Sequence, residues 1–435
     1  MYTLDPDTYS RIIESLPIDA INQLRVTTSS NFHQLSALRN TDNFWKLRLQ
    51  QFLDIQITRI PIPETWHQVY TKITTGDLNL SEKLIKFVQA GDFQVVQLLL
   101  EAGADVTANT NAALREASRI GNLPVVQLLL DFGANVTAEE NEALRWASAY
   151  GHSKVVQLLL NAGADVFAKN NQAIVGASIY GYIQVVQLLL DAGAEVTTND
   201  NEALRGASRY GHSQVLKLLI KFGAKVTARN NEALQEASHN GHVQVVQLLI
   251  DSGADVTAHD NEAMLNACSN GHIEVVELLL KAGTNVIANN EAILEASKSG
   301  HWQVVQLLLK AGTDITADND GSLWLASANG HLQVVQLLLD AGANVNANNN
   351  SSILEASVYG HIEVVKLLIK AKADVTANNN FAIRAASRNG HLKVVKLLLK
   401  AGANVTANNN EPLREASRNG YPRVVQVLRN AGGTL

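Results

Sequence analysis

Most of the chain repeats one short pattern of apolar and polar positions. A glycine, usually followed by histidine, recurs every 30 residues, with a single step of 29 between Gly271 and Gly300. A Val-Val-x-Leu-Leu stripe follows this marker glycine, and its spacing is that of one buried side of a helix. Before the glycine, Leu and Ala lie three residues apart, as in Leu234 and Ala237, which predicts a second helix. The twelve marker glycines are Gly91, Gly121, Gly151, Gly181, Gly211, Gly241, Gly271, Gly300, Gly330, Gly360, Gly390 and Gly420.

Each unit also carries signals for the ends of its helices. The residue ten positions before the marker is Asn in ten units, Ser81 in the first and Asp320 in the ninth. Because such side-chain oxygens accept hydrogen bonds from free amides, we predict that this residue caps the first helix of its own unit. A second glycine, such as Gly163, lies where a left-handed C-terminal turn is expected, and Lys372 replaces it in one unit. We expect a less stable turn at Lys372.

No single unit buries its apolar stripe alone, so the units must stack around a shared core. The run Gly-His-x-x-Val-Val-x-Leu-Leu-Leu-x-Ala-Gly-Ala-Asp-Val resembles the ankyrin repeat family over residues 76–435. The resemblance implies an all-α solenoid of about twelve helix-turn-helix units that binds a protein on its concave face. The units are shorter than the usual length of about 33 residues, which predicts short connecting fingers. This 30-residue, Asn-rich form resembles ankyrin arrays of large DNA viruses.

Residues 1–75 show no repeat, hold four of the seven prolines, and predict several short helices, one of them at 65–74. The run Leu16-Pro17-Ile18-Asp19 and the later Asp42-Asn43-Phe44-Trp45-Lys46 resemble an F-box-like domain. That resemblance implies a docking surface for a Skp1-type adaptor of a cullin ubiquitin ligase. Its candidate residues are Leu16, Pro17, Ile21 and Trp45. The alternative is a helical cap that covers the first ankyrin unit.

The chemistry of the side chains favours binding over catalysis. Eight of the twelve histidines follow a marker glycine, where we expect each to hydrogen-bond a neighbouring loop rather than a metal. The single cysteine, Cys268, allows no intramolecular disulfide and favours a small buried residue over a nucleophile. No phosphate-binding loop and no zinc motif is present. We therefore predict no enzymatic activity, no cofactor, no metal and no membrane span, and a cytoplasmic protein, in the host cytoplasm if it is viral.

The variable positions of the repeat predict where a partner binds. Positions five, two and one residues before the marker share one side of the first helix, which forms the concave face in the family. Aromatic and arginine side chains are common anchors of protein interfaces. The candidates at or near these positions are Arg119, Trp146, Tyr150, Ile179, Tyr180, Arg209, Tyr210 and Trp324. The alternative is that the tyrosines pack as framework. Gly176 and Gly206 beside them favour a pocket.

Charge is distributed unevenly along the repeats. Residues 76–360 hold 16 basic and 30 acidic side chains, whereas residues 361–435 hold 12 basic and 4 acidic ones. Arg384 and Arg388 fall on one such first helix and are candidates to bind an acidic peptide. The lack of interleaved aromatic residues there disfavours nucleic acid. The sequence therefore predicts a substrate-recruiting ligase adaptor, with a stand-alone scaffold or sequestering protein as the alternative. The identity of the target stays open.

Overall fold

The chain divides into two units, and helices are the only regular secondary structure in the described residues of the first unit, residues 1–195. In this computed structural model the described residues are 46, 66–74, 78–286 and 290–434. They form 25 helices and no strand. The helices of the first unit are α1 Trp66–Thr74, α2 Leu80–Ala90, α3 Phe93–Glu101, α4 Ala108–Ile120, α5 Leu123–Asp131, α6 Ala138–Ala149, α7 Ser153–Asn161, α8 Ala168–Ile179 and α9 Ile183–Asp191.

The second unit, residues 196–435, continues the same alternation of helices. Its helices are α10 Thr198–Arg209, α11 Ser213–Lys221, α12 Ala228–His239, α13 Val243–Asp251, α14 Ala258–Asn270, α15 Ile273–Lys281, α16 Glu291–Ser299, α17 Trp302–Lys310, α18 Ala317–Ala328, α19 Leu332–Asp340, α20 Ala347–Tyr359, α21 Ile362–Lys370, α22 Ala377–Arg388, α23 Leu392–Lys400, α24 Ala407–Arg418 and α25 Pro422–Asn430. We call the helix before each marker glycine helix 1 and the helix after it helix 2. The predicted all-α stack of helix-turn-helix units is confirmed.

The apolar stripe forms the core, as the sequence pattern predicts. In α13, Val245, Val246 and Leu249 have at most 1% of their surface exposed, and in α12 Leu234 and Ala237 are fully buried. Within residues 1–195, and again within residues 196–435, helix 1 of one repeat packs on helix 1 of the next repeat, and helix 2 packs on helix 2 in the same way. The core therefore runs along each unit, and no repeat has a core of its own.

Helix α1 begins and ends close to the predicted helix at 65–74. Val69 and Ile73 are buried on it, and Lys72 Nζ lies 2.9 Å from Asp92 Oδ2 in the turn of the first repeat. This salt bridge ties α1 to the repeat that follows it.

The N-terminal end of helix 1, within the bounds given above, contains a short left-handed turn in place of an extended finger, and the regular helix follows this turn. Arg229, Asn230 and Asn231 have φ values of 48°, 54° and 61°, and the same three positions are left-handed in most other repeats. Asn is one of the few residue types that adopt this conformation at low cost. The asparagine content of the repeat therefore follows from its backbone geometry.

The asparagine that ends this turn bonds to the next repeat, and the capping prediction for it is wrong. Asn231 Oδ1 accepts a hydrogen bond from the amide of Asp255, at 2.8 Å and 24 residues further along the chain. Asp320 accepts from Asn344 in the same way at 3.0 Å, and the Ser81 hydroxyl accepts from Asp105 at 2.9 Å. After the left-handed turn, this side chain lies beside the following loop instead of over its own helix amides. The same link joins Asn111 to Asn135, Asn141 to Asp165, Asn171 to Glu195, Asn201 to Lys225 and Asn380 to Asn404.

Candidate functional site

The tyrosines of the variable positions lie at the C-terminal ends of helix 1, and they are exposed. Tyr150 is the C-cap of α6 and Tyr180 is the C-cap of α8, with 51% and 60% of their surface accessible. In the second unit, Tyr210 is the C-cap of α10 and is 54% exposed. Residues that pack as framework are buried, so this degree of exposure favours contact with a partner. We call the surface formed by these helix ends, taken separately in each of the two units, the helix-1 face.

The rings of Tyr150, Tyr180 and Tyr359 each lie beside a second ring two residues along the chain. Tyr150 stacks on His152 with 6.4 Å between ring centroids, and Tyr180 lies 6.3 Å from Tyr182. Tyr359, which the sequence analysis did not select, is 60% exposed and lies at the same position before its own marker glycine. Its place directly before the marker Gly360 is the sequence feature that could have identified it. An aromatic neighbour therefore lies beside each of these three tyrosine rings.

The histidines of the marker dipeptide join neighbouring repeats. His242 Nε2 donates a hydrogen bond to the carbonyl of Arg209 at 2.8 Å, which lies at the end of helix 1 of the preceding repeat. Its ring covers Gly211, where an added Cβ would lie 2.7 Å from the ring nitrogen Nδ1. The expected bond to the neighbouring segment is thus present, and it explains the glycine. Among the described residues, no cluster of three or more His, Cys, Asp or Glu side chains is arranged to hold a metal ion.

Arg119 and Tyr150 are brought together from adjacent repeats. Arg119 forms an ion pair with Glu116 of its own helix at 2.9 Å. The pKa of Arg119 is raised, mainly by its hydrogen bond with Glu116 and also by the Tyr150 hydroxyl. Trp146 and Ile179 are half-buried on α6 and α8.

Gly176 does not leave room for a ligand, so the predicted pocket at this position is wrong. A Cβ added to Gly176 would lie 3.2 Å from the Cβ of Ala149 and 3.5 Å from its Cα. The glycine instead permits α8 to approach the end of α6 closely. The exposed tyrosines therefore stand on a surface without a cavity at Gly176.

A polar groove of about 380 Å³ lies on the helix-1 face of the second unit. Arg209 forms two hydrogen bonds with Glu236 of the next repeat, at 2.8 Å from Nε and 2.5 Å from Nη2. Their bond lowers the pKa of Glu236 and raises that of Arg209. The groove is lined by Arg209, Gln235, Glu236, His239, Asn240 and Asn266.

Trp324 differs from the exposed tyrosines. It lies half-buried on α18, and its indole nitrogen is enclosed without a hydrogen-bond partner among the described residues. Trp324 therefore offers a partner less accessible surface than the exposed tyrosines do.

Arg384 and Arg388 do not form a free positive patch. Arg384 Nε lies 2.6 Å from Glu411, and Arg388 bonds Glu415 at 2.9 Å and Glu411 at 3.2 Å. Burial is the largest single influence on Glu411 and acts to raise its pKa. The hydrogen bonds from Arg384 and Asn408, together with the charges of Arg384 and Arg388, outweigh burial, so the pKa is lowered. Glutamates of the next repeat therefore offset much of the charge that the sequence offered to an acidic partner.

Three further findings bear on function. Leu16, Pro17, Ile21 and Trp45 lie outside the described residues. Cys268 is buried, and burial raises the pKa of its thiol, which disfavours the nucleophilic thiolate. Within the described part of the chain, none of the helices combines the length and the apolar character needed to cross a membrane.

Comparison with known families agrees with the repeat geometry. A family model described as ankyrin repeats (3 copies) matches residues 84–170, 174–260, 257–319, 293–379 and 353–434. None of the curated proteins compared with the chain matches it.

Proposed function

Since the chain belongs to the ankyrin repeat family and is a protein–protein interaction module, we propose that its helix-1 face holds a target protein through the exposed tyrosines. One observation carries this proposal: Tyr150 and Tyr180 are more than half exposed, although each ring lies beside an aromatic neighbour. A ring with such a neighbour loses little conformational freedom on binding, and tyrosine is a frequent anchor of protein interfaces. In this role the chain contributes binding, and catalysis belongs to its partners.

The test is a double substitution, Tyr150→Ala with Tyr180→Ala, in the full chain. Loss of two anchors worth about 2 kcal/mol each would weaken target capture by more than tenfold. Phe167→Ala is the matched control, because Phe167 is 51% exposed in the first unit but lies in a loop outside the helix-1 face. Proteins captured from a lysate would be quantified by mass spectrometry. An unchanged set of captured proteins with the double variant contradicts the proposal.

The resemblance of Leu16, Pro17, Ile21 and Trp45 to an F-box-like segment supports a finer proposal. In this hypothesis the segment docks a Skp1-type adaptor, and the repeats present a target to a cullin ubiquitin ligase. The alternative is a scaffold or sequestering protein whose first residues serve as a cap.

The two alternatives differ in a pull-down probed for Skp1 and cullin. We compare the full chain, the chain without residues 1–60, and Leu16→Ala with Pro17→Ala. The deletion ends before α1, so it preserves the salt bridge between Lys72 and Asp92. Skp1 bound by the full chain and lost from both variants supports the adaptor. Absence of Skp1 from all samples leaves the scaffold.

A further inference from the structure

The last repeats carry unpaired positive charge on the helix-2 side. Helices α21, α23 and α25 hold seven basic residues and one acidic residue, Glu363, which lies 3.7 Å from Lys366. The other six basic side chains form no ion pair within the described part of the chain, and all seven are exposed. We call this surface the basic helix-2 face; it consists of Lys366, Lys370, Lys393, Lys396, Lys400, Arg423 and Arg429.

These charges are aligned by the repeat. Lys393, Lys396 and Lys400 follow one another at three and four residues, so they share one side of α23. Lys366 and Lys370 occupy the same positions as Lys396 and Lys400 one repeat earlier. Because α21 packs on α23, the lysines form two rows across neighbouring helices. The arrangement contrasts with the helix-1 face, where glutamates pair with the arginines.

An open apolar groove of about 730 Å³ borders these rows. It lies across α17, α19 and α21, and its apolar lining is Trp302, Leu332, Leu337 and Leu367. Leu332 is 40% exposed, so it contributes accessible apolar surface to the groove. Lys366, Lys370 and Glu363 form part of the groove's rim, so two basic side chains and one acidic side chain border it and the apolar and basic surfaces share α21.

We propose that the groove and the basic helix-2 face together bind an acidic segment of a partner protein that carries bulky apolar side chains. The apolar side chains occupy the groove, as in the docking of amphipathic helices, and the carboxylates meet the lysine rows. A nucleic-acid backbone complements the lysines, but three of the four apolar side chains that line the groove are leucines, which give a base no aromatic surface to stack on. The proposal concerns a different surface from the helix-1 face, so the two stand or fall separately.

The probe is a fluorescein-labelled 18-residue peptide with Leu or Phe at every third or fourth position and Glu at most others. Binding to the full chain is followed by fluorescence anisotropy. We expect the acidic peptide to bind at least tenfold more tightly than two companions, one with Lys in place of Glu and one with Ser in place of Leu and Phe. Affinity should also fall as NaCl is raised from about 50 to 300 mM, since exposed charges are screened.

Two variants locate the site. Lys396→Glu with Lys400→Glu should weaken the acidic peptide at least tenfold. Lys217→Glu with Lys221→Glu is the matched control, because these lysines occupy the same positions of helix 2 in α11 and are also exposed. These side chains are exposed, so the reversals preserve the core, which a circular dichroism melt confirms.

The groove is tested in the same way by Leu332→Gln, which should weaken the acidic peptide several-fold. Val243→Gln serves as its control, since Val243 opens α13 at the same position and is 36% exposed.

Four results overturn the proposal. The acidic peptide fails to bind, or binds no better than its companions. The two lysine pairs have equal effects. Single-stranded DNA of 20 nucleotides binds more tightly than the peptide and depends on Lys396 and Lys400, which assigns the face to nucleic acid. Phosphatidylserine vesicles sediment the chain in the same lysine-dependent manner, which assigns it to a lipid surface.

Discussion

The link from Asn231 to the next repeat can be separated into its two physical parts. Asn231 is 5% exposed, its φ is 61°, and its Oδ1 accepts the amide of Asp255 at 2.8 Å. Asn231→Ala removes the acceptor and places Ala in a left-handed backbone. Losing one hydrogen bond costs about 1 kcal/mol, and the left-handed conformation costs Ala about 1 kcal/mol. We therefore expect a loss of about 2 kcal/mol between these repeats.

Two companion variants separate the parts. Asn231→Gly tolerates the backbone but lacks the acceptor, so it should lose the hydrogen bond alone. Asn231→Asp keeps the acceptor and should remain near the parent protein, because Asp320 makes the same bond naturally at 3.0 Å. The expected order of stability is parent and Asp, then Gly, then Ala.

The assay is hydrogen exchange of individual amides, because unfolding of a long repeat array need not be two-state. In Asn231→Ala the Asp255 amide should exchange about 30-fold faster, which corresponds to about 2 kcal/mol. A residue that capped its own helix would instead protect the amides of Ala233 and Leu234. Faster exchange at those two amides, with Asp255 unchanged, refutes the link between repeats. Equal destabilisation by Asp and Ala refutes it as well.

Three further predictions follow from single side chains. Lys372 has φ 74° where other repeats have glycine, so Lys372→Gly should stabilise its own turn by about 1 kcal/mol and raise the urea midpoint, and a lower urea midpoint contradicts this. Because burial raises the pKa of Cys268, a thiol reagent at pH 8 should modify it only after unfolding, and rapid modification of the native chain contradicts its burial. Arg209 lowers the pKa of Glu236 in the folded chain. Their ion pair therefore stabilises the fold at pH values above the unfolded-state pKa of Glu236, about 4.3. This stabilisation is lost as the pH falls through the lower pKa of the folded state. Urea midpoints of Glu236→Gln should therefore fall less on acidification than those of the parent, and an equal fall contradicts the pairing.

The features that repeat every 30 residues could be predicted from sequence. The helices, the buried Val-Val-x-Leu-Leu stripe and the ankyrin stack all follow from periodicity, because apolar spacing is a local property of the chain. The hydrogen-bonding role of the marker histidine was predicted too, although its acceptor, the end of the preceding helix 1, was not.

The prediction that the asparagine caps its own helix is wrong for a physical reason. An oxygen acceptor just before helix 1 satisfies either an amide of its own helix or an amide in the next repeat. The choice depends on three left-handed residues that no apolar pattern reveals. Gly176 was misread similarly, because a missing side chain permits either a ligand or a close helix contact, and the distance to Ala149 decides between them.

A count of charged residues along the sequence does not show which charges remain unpaired in the folded chain. Residues 361–435 are strongly basic, and the count suggested Arg384 and Arg388 as the exposed site. In the folded chain Arg384 lies beside Glu411, and Arg388 beside Glu415, each 27 residues further along. Arg209 and Glu236 have the same separation.

An arginine on helix 1 of one repeat therefore pairs with a glutamate 27 residues further along, on helix 1 of the next repeat. Helices α23 and α25 hold no glutamate, so Lys393, Lys396 and Lys400 form no ion pair within the described part of the chain. Arg384 and Arg388 thus contribute as much to the net charge as Lys396 and Lys400 do, but only the lysines are left free to bind an acidic partner. Mutating the lysines should change the salt dependence of peptide binding, whereas mutating Arg388 should chiefly weaken the contact between its own repeat and the next.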